Sequence, residues 1–600
     1  MKCRVSFLLK TYLWTVLVFI IAKVAFMLFC HEGHVFTIAD VWQVITHGLT
    51  LDLSMSLYIL IVPFLVCFVS IWWNKGKMLG RILSGYFVII ALALTLAFVA
   101  DTSLYPFWGF KLDASCLQYL ETPTEAMASI STGYLLTRLV AFLVIAALIY
   151  KGLPTFPISP SLNFSISPSL ETIGYILIIP VLIIGIRGGL AESTTNIGQV
   201  YYSQDQFLNH SAVNPVFNFF ASFEKTANNI VDYHFFDEAE CAQLMEGLYD
   251  TTSVDSDTLL NTQRPNIVIV LMESAGSVFE GAMPRLAQLK QEGIDFTECY
   301  ANSWRTDRGT VCTYSGYPSF PTSSVMKMPK KTDQLPGIAS ALQEQGYHTS
   351  YIYGGDINFT NMRGYLIATG WEQLTWMADY SLEEQQTAKW GVRDDITFNT
   401  LYDQIMQMAP GEHYLIGYST LSTHEPWDVP IKQYDDEIEN SFYYLDQCIG
   451  DFIDRMKATP QWKDLLIIFL PDHSRDFREI NEMDQLRNKI PMVWVGGAVK
   501  APRQIEQTCN QTDLTATLLG QLQLPHDAFR WSRDVMSRSY KYPFAVHNYN
   551  NGYSLVDSTG FMAYDLDSRR VIADKSTDSE RLKRMGKAIL QATTKDLKEK

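Results

Sequence analysis

The stretch SWRTDRGTVCTYSGYP, Ser303 to Pro318, holds two arginines and five serine or threonine hydroxyls. A hydroxyl is a poor nucleophile at neutral pH and becomes a good one when a metal ion favours its alkoxide. Donors for such an ion stand elsewhere in the chain. Glu273 follows the apolar run NIVIVLM, Asp472 and His473 follow LLIIFLP, and His424 follows HYLIGYSTLST. Any one of these has a plain reading, since a carboxylate just past a strand often caps the next helix. Together, two carboxylates and two imidazoles at the ends of three strands form a donor set for a divalent ion, with a position left for a nucleophile or water. Thr306 opens a short helical pattern whose first-turn N–H groups would face an incoming anion. Arg305 or Arg308 would offset the same charge. On residue type and position, Thr306, Thr310 and Ser303 remain alternatives for the attacking hydroxyl.

The elements that must bring these residues together lie after Pro265. NIVIVLMES, HTSYIYGG, HYLIGYS, DLLIIFL and IPMVWVGG read as strands, and the continuous apolar ones as parallel strands buried on both faces. MPRLAQLKQEG and PGIASALQEQG read as the amphipathic helices between them. The alternation predicts an α/β domain with a mostly parallel sheet flanked by helices on both faces. In such a sheet ligands collect beyond the carboxyl ends of the strands, where the donors stand.

The first third of the chain is of another kind. Leu53–Trp73 and Ile82–Ala100 are uncharged runs long enough to cross about 30 Å of hydrocarbon. Leu13–Cys30, Gly133–Tyr150 and Thr172–Ile186 complete five expected spans. Lys23, inside the first, must snorkel or face a partner helix. Lys2, Arg4 and Lys10 before the first span and Lys75, Lys77 and Arg81 after the second put both places on the cytoplasmic side. Five crossings then leave everything after Arg187 outside the inner (cytoplasmic) membrane, in a periplasm or extracellular. The expected organisation is a five-helix transmembrane domain over 1–190, an ordered aromatic-rich linker over 191–264, lying on the membrane surface or on the globular domain, and a catalytic domain over 265–600. The formal net charge of −16, with no basic patch, speaks against a nucleic-acid partner. Nine cysteines without a CxxC leave thiolate zinc improbable; a disulfide among Cys241, Cys299, Cys312, Cys448 and Cys509 is open, its pairing unspecified.

NIVIVLMES, RTDRGTVCTYSGYP, YIYGGDINFTNMRGY, WGVRDDITF, STHEPW, LPDHS and IPMVWVGG, in this order, resemble the lipoteichoic acid synthase and phosphoglycerol transferase family, in the sulfatase branch of the alkaline phosphatase superfamily. The resemblance implies an alkaline phosphatase-like domain behind five N-terminal helices. It implies one divalent metal ion, manganese first with magnesium or zinc as alternatives, bound by Glu273, Thr306, Asp472 and His473, with Thr306 as the nucleophile. Arg363 and His424 would hold the phosphate and polar head of the substrate, and His424 would assist proton transfer. Where the family's Gram-positive pattern has a tryptophan two residues before that arginine, this chain has Asn361. The implied reaction moves glycerol phosphate from phosphatidylglycerol to a glycan or polymer acceptor through a covalent threonine intermediate. The alternatives are phosphoethanolamine transfer, a sulfatase, or a non-catalytic membrane scaffold. A sulfatase needs a cysteine or serine in a C/S-x-P-x-R setting, and Cys312 is followed by TYSG.

Overall fold

Five apolar helices open the chain in the computed structural model: α1 (Lys2–Cys30), α2 (Ile38–Trp72), α3 (Gly76–Trp108), α4 (Thr132–Gly152) and α5 (Pro168–Arg187). All five are long and apolar enough to cross a membrane. The structure describes residues 2–600 except 32, 74, 110, 115, 118–130, 158–166, 190–194, 196, 201, 204, 227–229, 251–255, 333, 358 and 410. The helices overrun the apolar runs of the sequence, and side-chain caps mark the starts of α2, α4 and α5. α2 starts at Ile38 behind a Thr37/Asp40 capping box. The added length carries Asp52, which accepts from Lys23 Nζ; the same ammonium reaches Gly48 O at 2.8 Å. Lys23 therefore faces a partner helix.

The stretch expected to be one linker over 191–264 is divided in the structure. Met1–Glu121 and Ile130–Asn229 belong to one compact unit, and Ile230–Asp565 with Val571–Lys600 to a second. In the first, Phe207 joins a buried cluster with Phe26 and Tyr105, and Asn214 Nδ2 donates to Asp52 Oδ1 at 2.9 Å, so this part packs on the helices. Tyr201 lies outside the described residues. In the second, the Phe235 and Phe236 N–H groups donate to Gln591 Oε1, and Leu259 N–H donates to Gln521 Oε1.

The second unit is built on an eight-stranded sheet in the order β5-β4-β6-β1-β7-β8-β2-β9. Its strands are β1 (Asn266–Met272), β2 (Ile294–Phe296), β4 (Tyr347–Tyr353), β5 (Gln373–Trp376), β6 (His413–Ser419), β7 (Leu465–Pro471), β8 (Val493–Val495) and β9 (Arg503–Ile505); β3 (Cys299–Tyr300) pairs with β10 (Cys509–Asn510). From β5 to β7 all neighbours are parallel, while β8 runs antiparallel to both β7 and β2. β1 shows why its apolar run is unbroken: Ile267, Ile269 and Leu271 enter the core on one face, Val268, Val270 and Met272 the core on the other. A four-stranded antiparallel sheet follows, β11 (Phe544–Tyr549), β12 (Gly552–Asp557), β13 (Gly560–Asp565) and β14 (Arg570–Ser576). Alternation of strand and helix gives no hint of it; its signals are the tight turns in NYNNGY and DSTGF.

Candidate active site

β1 lies between β6 and β7, with Met272 opposite Pro471 and Leu271 opposite Ser419. The next residue on each strand leaves the sheet at its carboxyl end, so Glu273 and Asp472 emerge side by side with the 420–424 segment on the other flank. Glu273, Asp472 and His473 present ligand atoms that all lie within 4.8 Å of one another. Thr306, the first residue of helix α6 (Thr306–Ser315), completes the group. Its Oγ1 is 3.1 Å from Glu273 Oε2 and 3.5 Å from His473 Nε2.

The other hydroxyls of the opening stretch are directed elsewhere. Thr310 Oγ1 donates to the Thr306 carbonyl at 2.7 Å, and Ser303 Oγ to the Arg305 carbonyl at 3.4 Å. Arg305 and Arg308 both lie over the Trp304 ring, at 4.9 and 4.8 Å. His424 lies close enough to Glu273 for an imidazolium there to lower that carboxyl's pKa. Its Nδ1 faces the Glu425 carbonyl at 3.1 Å and its ring packs on Trp390 at 4.3 Å. Arg363 stacks over Trp376 at 5.0 Å. Asn361 adopts a left-handed conformation at φ 66° and donates to Met326 O at 2.7 Å. Trp376 and Trp390 thus bring aromatic faces to the two polar residues; Trp390 opens the WGVRDDITF stretch, whereas Trp376 lies outside every motif.

The electrostatics of the cluster favour a cation. Burial, followed by the charge of Asp472, pushes the Glu273 pKa above the usual carboxylate range. Burial pushes Asp472 up to about 6 and His473 down to about 4. Asp472 Oδ2 is buried and has no hydrogen-bond partner among the described residues. His473 Nδ1 faces the Ser474 carbonyl at 2.9 Å, and a carbonyl can only accept, so Nδ1 carries the proton. The Nε2 lone pair is then turned towards Asp472 Oδ2 at 3.5 Å and Glu273 Oε1 at 3.7 Å. Two carboxylates, an imidazole lone pair and an alcohol are the donors a divalent ion takes, so the residues fit one.

Supporting residues fix this geometry. Ser274, a non-glycine residue at φ 56°, donates its N–H to Asp472 Oδ1 and its hydroxyl to Glu273 Oε1, at 2.9 and 2.7 Å. Thr423 Oγ1 donates to Glu273 O at 2.6 Å, and Asp394 accepts from the Leu421 and Ser422 N–H groups, which anchors the His424 loop. Gln511 Nε2 donates to the carbonyls of Pro471 and Asp472 at 3.0 and 2.7 Å. Gly309 lets α6 reach the end of β7: a Cβ there would stand 1.9 Å from Asp472 O and 2.6 Å from its carbon. Gly309→Ala is expected to cost about 1–3 kcal/mol through overpacking. Since a misplacement of about 1 Å can cost ~10²-fold, its turnover is expected to fall by a similar factor, read as rate and thermal midpoint of the purified variant.

This arrangement can be set beside known proteins. Residues 265–524 match the family model described as Sulfatase. Residues 265–524 form a Sulfatase-family domain. The chain is 26% identical over 239 residues to Phosphoglycerol transferase I of Escherichia coli O6:K15:H31, covering 35% of this chain and 30% of the relative. The match thus spans under a third of that relative's length. Among solved structures, a protein of the alkaline phosphatase superfamily from Vibrio parahaemolyticus superposes with a TM-score of 0.54 at 26% identity, covering 61% of this chain and 98% of that one. The lipoteichoic acid synthase LtaP from Listeria monocytogenes superposes with a TM-score of 0.50 at 15% identity, over 60% and 98%, and shares the fold. The Sulfatase-family domain stands behind five apolar helices, as the motif order implies.

Proposed function

We propose that the protein is a metal-dependent phosphoglycerol transferase that takes glycerol phosphate from phosphatidylglycerol to a glycan or polymer acceptor at the outer face of the cytoplasmic membrane. The observation that carries this reading is the hydroxyl of Thr306, at the first turn of a helix and 3.1 and 3.5 Å from Glu273 and His473 in a buried cluster of anionic and neutral donors. A sulfatase would need a modifiable cysteine or serine there, and position 306 is a threonine. Partial relatedness to a phosphoglycerol transferase supports the choice of headgroup.

Glu273, Thr306, Asp472 and His473 would hold a divalent ion, manganese first, with magnesium or zinc as alternatives. When bound, the ion supplies positive charge that favours the threonine alkoxide and offsets charge on the phosphoryl oxygens. Glu273 orients the Thr306 hydroxyl through their hydrogen bond. Thr306 Oγ1 attacks phosphorus as the bond to the diacylglycerol oxygen breaks, which leaves glycerophospho-threonine. The departing oxygen takes up the proton that Thr306 loses, with His424 as its carrier. An acceptor hydroxyl then attacks the same phosphorus, gives up its proton, and restores Thr306. The first-turn N–H groups of α6 and the guanidinium of Arg363 bind the phosphate oxygens. A membrane-tethered domain meets a lipid donor at high effective concentration, which suits five apolar helices ahead of it.

The test uses purified full-length protein in detergent with Mn²⁺, given phosphatidylglycerol and phosphatidylethanolamine in separate assays. Diacylglycerol is expected from the first only. Release from phosphatidylethanolamine alone would reassign the headgroup to ethanolamine phosphate, and release from neither would remove the transferase reading.

A further inference from the structure

We propose that Cys299 and Cys509 are joined by a disulfide in the working protein. They are directly opposed residues of the parallel pair β3 and β10, with Tyr300 opposite Asn510. Paired strands lie about 4.7–4.9 Å apart, inside the ~4.4–6.8 Å Cα separation that disulfides use. Opposed residues of a parallel pair also project to the same face. Both side chains are fully buried, and the Cys299 thiol is the first cause that raises the Cys509 pKa. Two other cysteines of this unit are engaged elsewhere: Cys312 Sγ donates to Asn302 Oδ1 at 3.6 Å and Cys241 Sγ to Ala588 O at 3.7 Å.

The bond would join the two stems of the site. β3 leads through residues 301–305 into Thr306, and β10 leads into Gln511, whose amide holds the carbonyls of Pro471 and Asp472. A covalent tie here fixes the nucleophile's stem against the segment that carries two of the ion's ligands. The oxidation balances through exchange with a disulfide-bearing oxidant of the exported compartment. The two thiols give up two protons and two electrons, one S–S bond forms between the Sγ atoms, and the oxidant's disulfide becomes two thiols. Because both sulfurs are buried, exchange takes place before the domain closes.

The inference rests on the reading that residues after Arg187 stand outside the cytoplasmic membrane, and two measurements separate the two ideas. In the first, membranes holding the full-length protein are acid-quenched, denatured, treated with N-ethylmaleimide without reductant, digested and mapped by mass spectrometry. A reductant-sensitive peptide linking Cys299 to Cys509 is expected, with maleimide on the remaining seven of the nine cysteines. Maleimide on both Cys299 and Cys509 overturns the proposal. In the second, the protein is reduced and unfolded, and diamide is added as the denaturant is withdrawn. A 299–509 link formed there after a negative first result assigns the failure to the side of the membrane, whereas no link in either places it with the geometry.

Discussion

Thr306→Ala is expected to lower diacylglycerol release by ~10⁴-fold or more, about 5.5 kcal/mol of transition-state stabilisation, and to abolish any covalent adduct. The size follows from the Oγ1 being the atom that forms the new bond to phosphorus; neither of the other two candidate hydroxyls is free to replace it. Thr310 Oγ1 lies one turn on and is bound to the Thr306 carbonyl, and Ser303 Oγ points at the Arg305 carbonyl. Two further variants separate chemistry from folding. Thr306→Ser keeps the hydroxyl and is expected to retain measurable turnover. Thr310→Val keeps the shape of a buried side chain, loses one hydrogen bond worth about 0.5–1.5 kcal/mol, and is expected to keep turnover within about tenfold. The readouts are diacylglycerol release and mass spectrometry of the peptide that contains residue 306 after brief exposure to phosphatidylglycerol. Wild-type turnover in Thr306→Ala, or an adduct on Thr310 or Ser303, would move the nucleophile.

How far the site was legible follows from where its information lies. The apolar runs ending at Met272 and Pro471 mark strands buried on both faces. Once those strands are neighbours in register, Glu273 and Asp472 must emerge together. That step needs only a local pattern and a general property of parallel sheets. The supporting residues are different in kind. Ser274 is anchored by a residue 198 positions away, Thr423 by one 150 positions away, and Gln511 holds a carbonyl 39 positions away. Their work is tertiary, and no sequence window contains it. Gly309 left a trace, a glycine inside a helical pattern, which often marks a close approach; only the structure shows that the approach is to the Asp472 carbonyl. The division of residues 191–264 between two units was likewise hidden. Composition makes Phe207 an ordered residue without telling which surface will cover it, and the helices supply that surface through Phe26 and Tyr105. The antiparallel sheet over 544–576 lay in plain turn signals that strand and helix alternation led past.

Stripping the divalent ion is expected to abolish transfer and to make stability depend on pH in a direction the cluster dictates. Burial raises Asp472 to about 6 from an ordinary 3.8, so its contribution to stability is lost as pH rises through that interval. Burial lowers His473 to about 4 from 6.5, so its contribution is gained as pH rises through a similar interval. The two act with opposite sign, and Glu273 acts in the same direction as Asp472, so two carboxyls stand against one imidazole. The folded-state pKa of Glu273 is raised, by burial first and by Asp472 second, so the ion-free protein loses stability on going from acid to neutral pH. Adding Mn²⁺ reverses this, because the ion binds the deprotonated carboxylates and neutral imidazole, and protons compete with it. At free ion about 100 times Kd the stabilisation is ~2.7 kcal/mol, or roughly 3–4 °C in thermal midpoint for a unit of this size, at about 2.1 cal/mol/K of unfolding entropy per residue. The gain is expected to be larger near pH 7.5 than near pH 5. Thermal scans of the full-length protein in detergent, after dialysis against chelator and with Mn²⁺, Mg²⁺ or Zn²⁺ restored, read both the sign and the preferred ion. A thermal gain that does not vary with pH, together with full diacylglycerol release after chelation, would mean that Glu273, Asp472 and His473 hold no ion and that their convergence on Thr306 serves the fold alone.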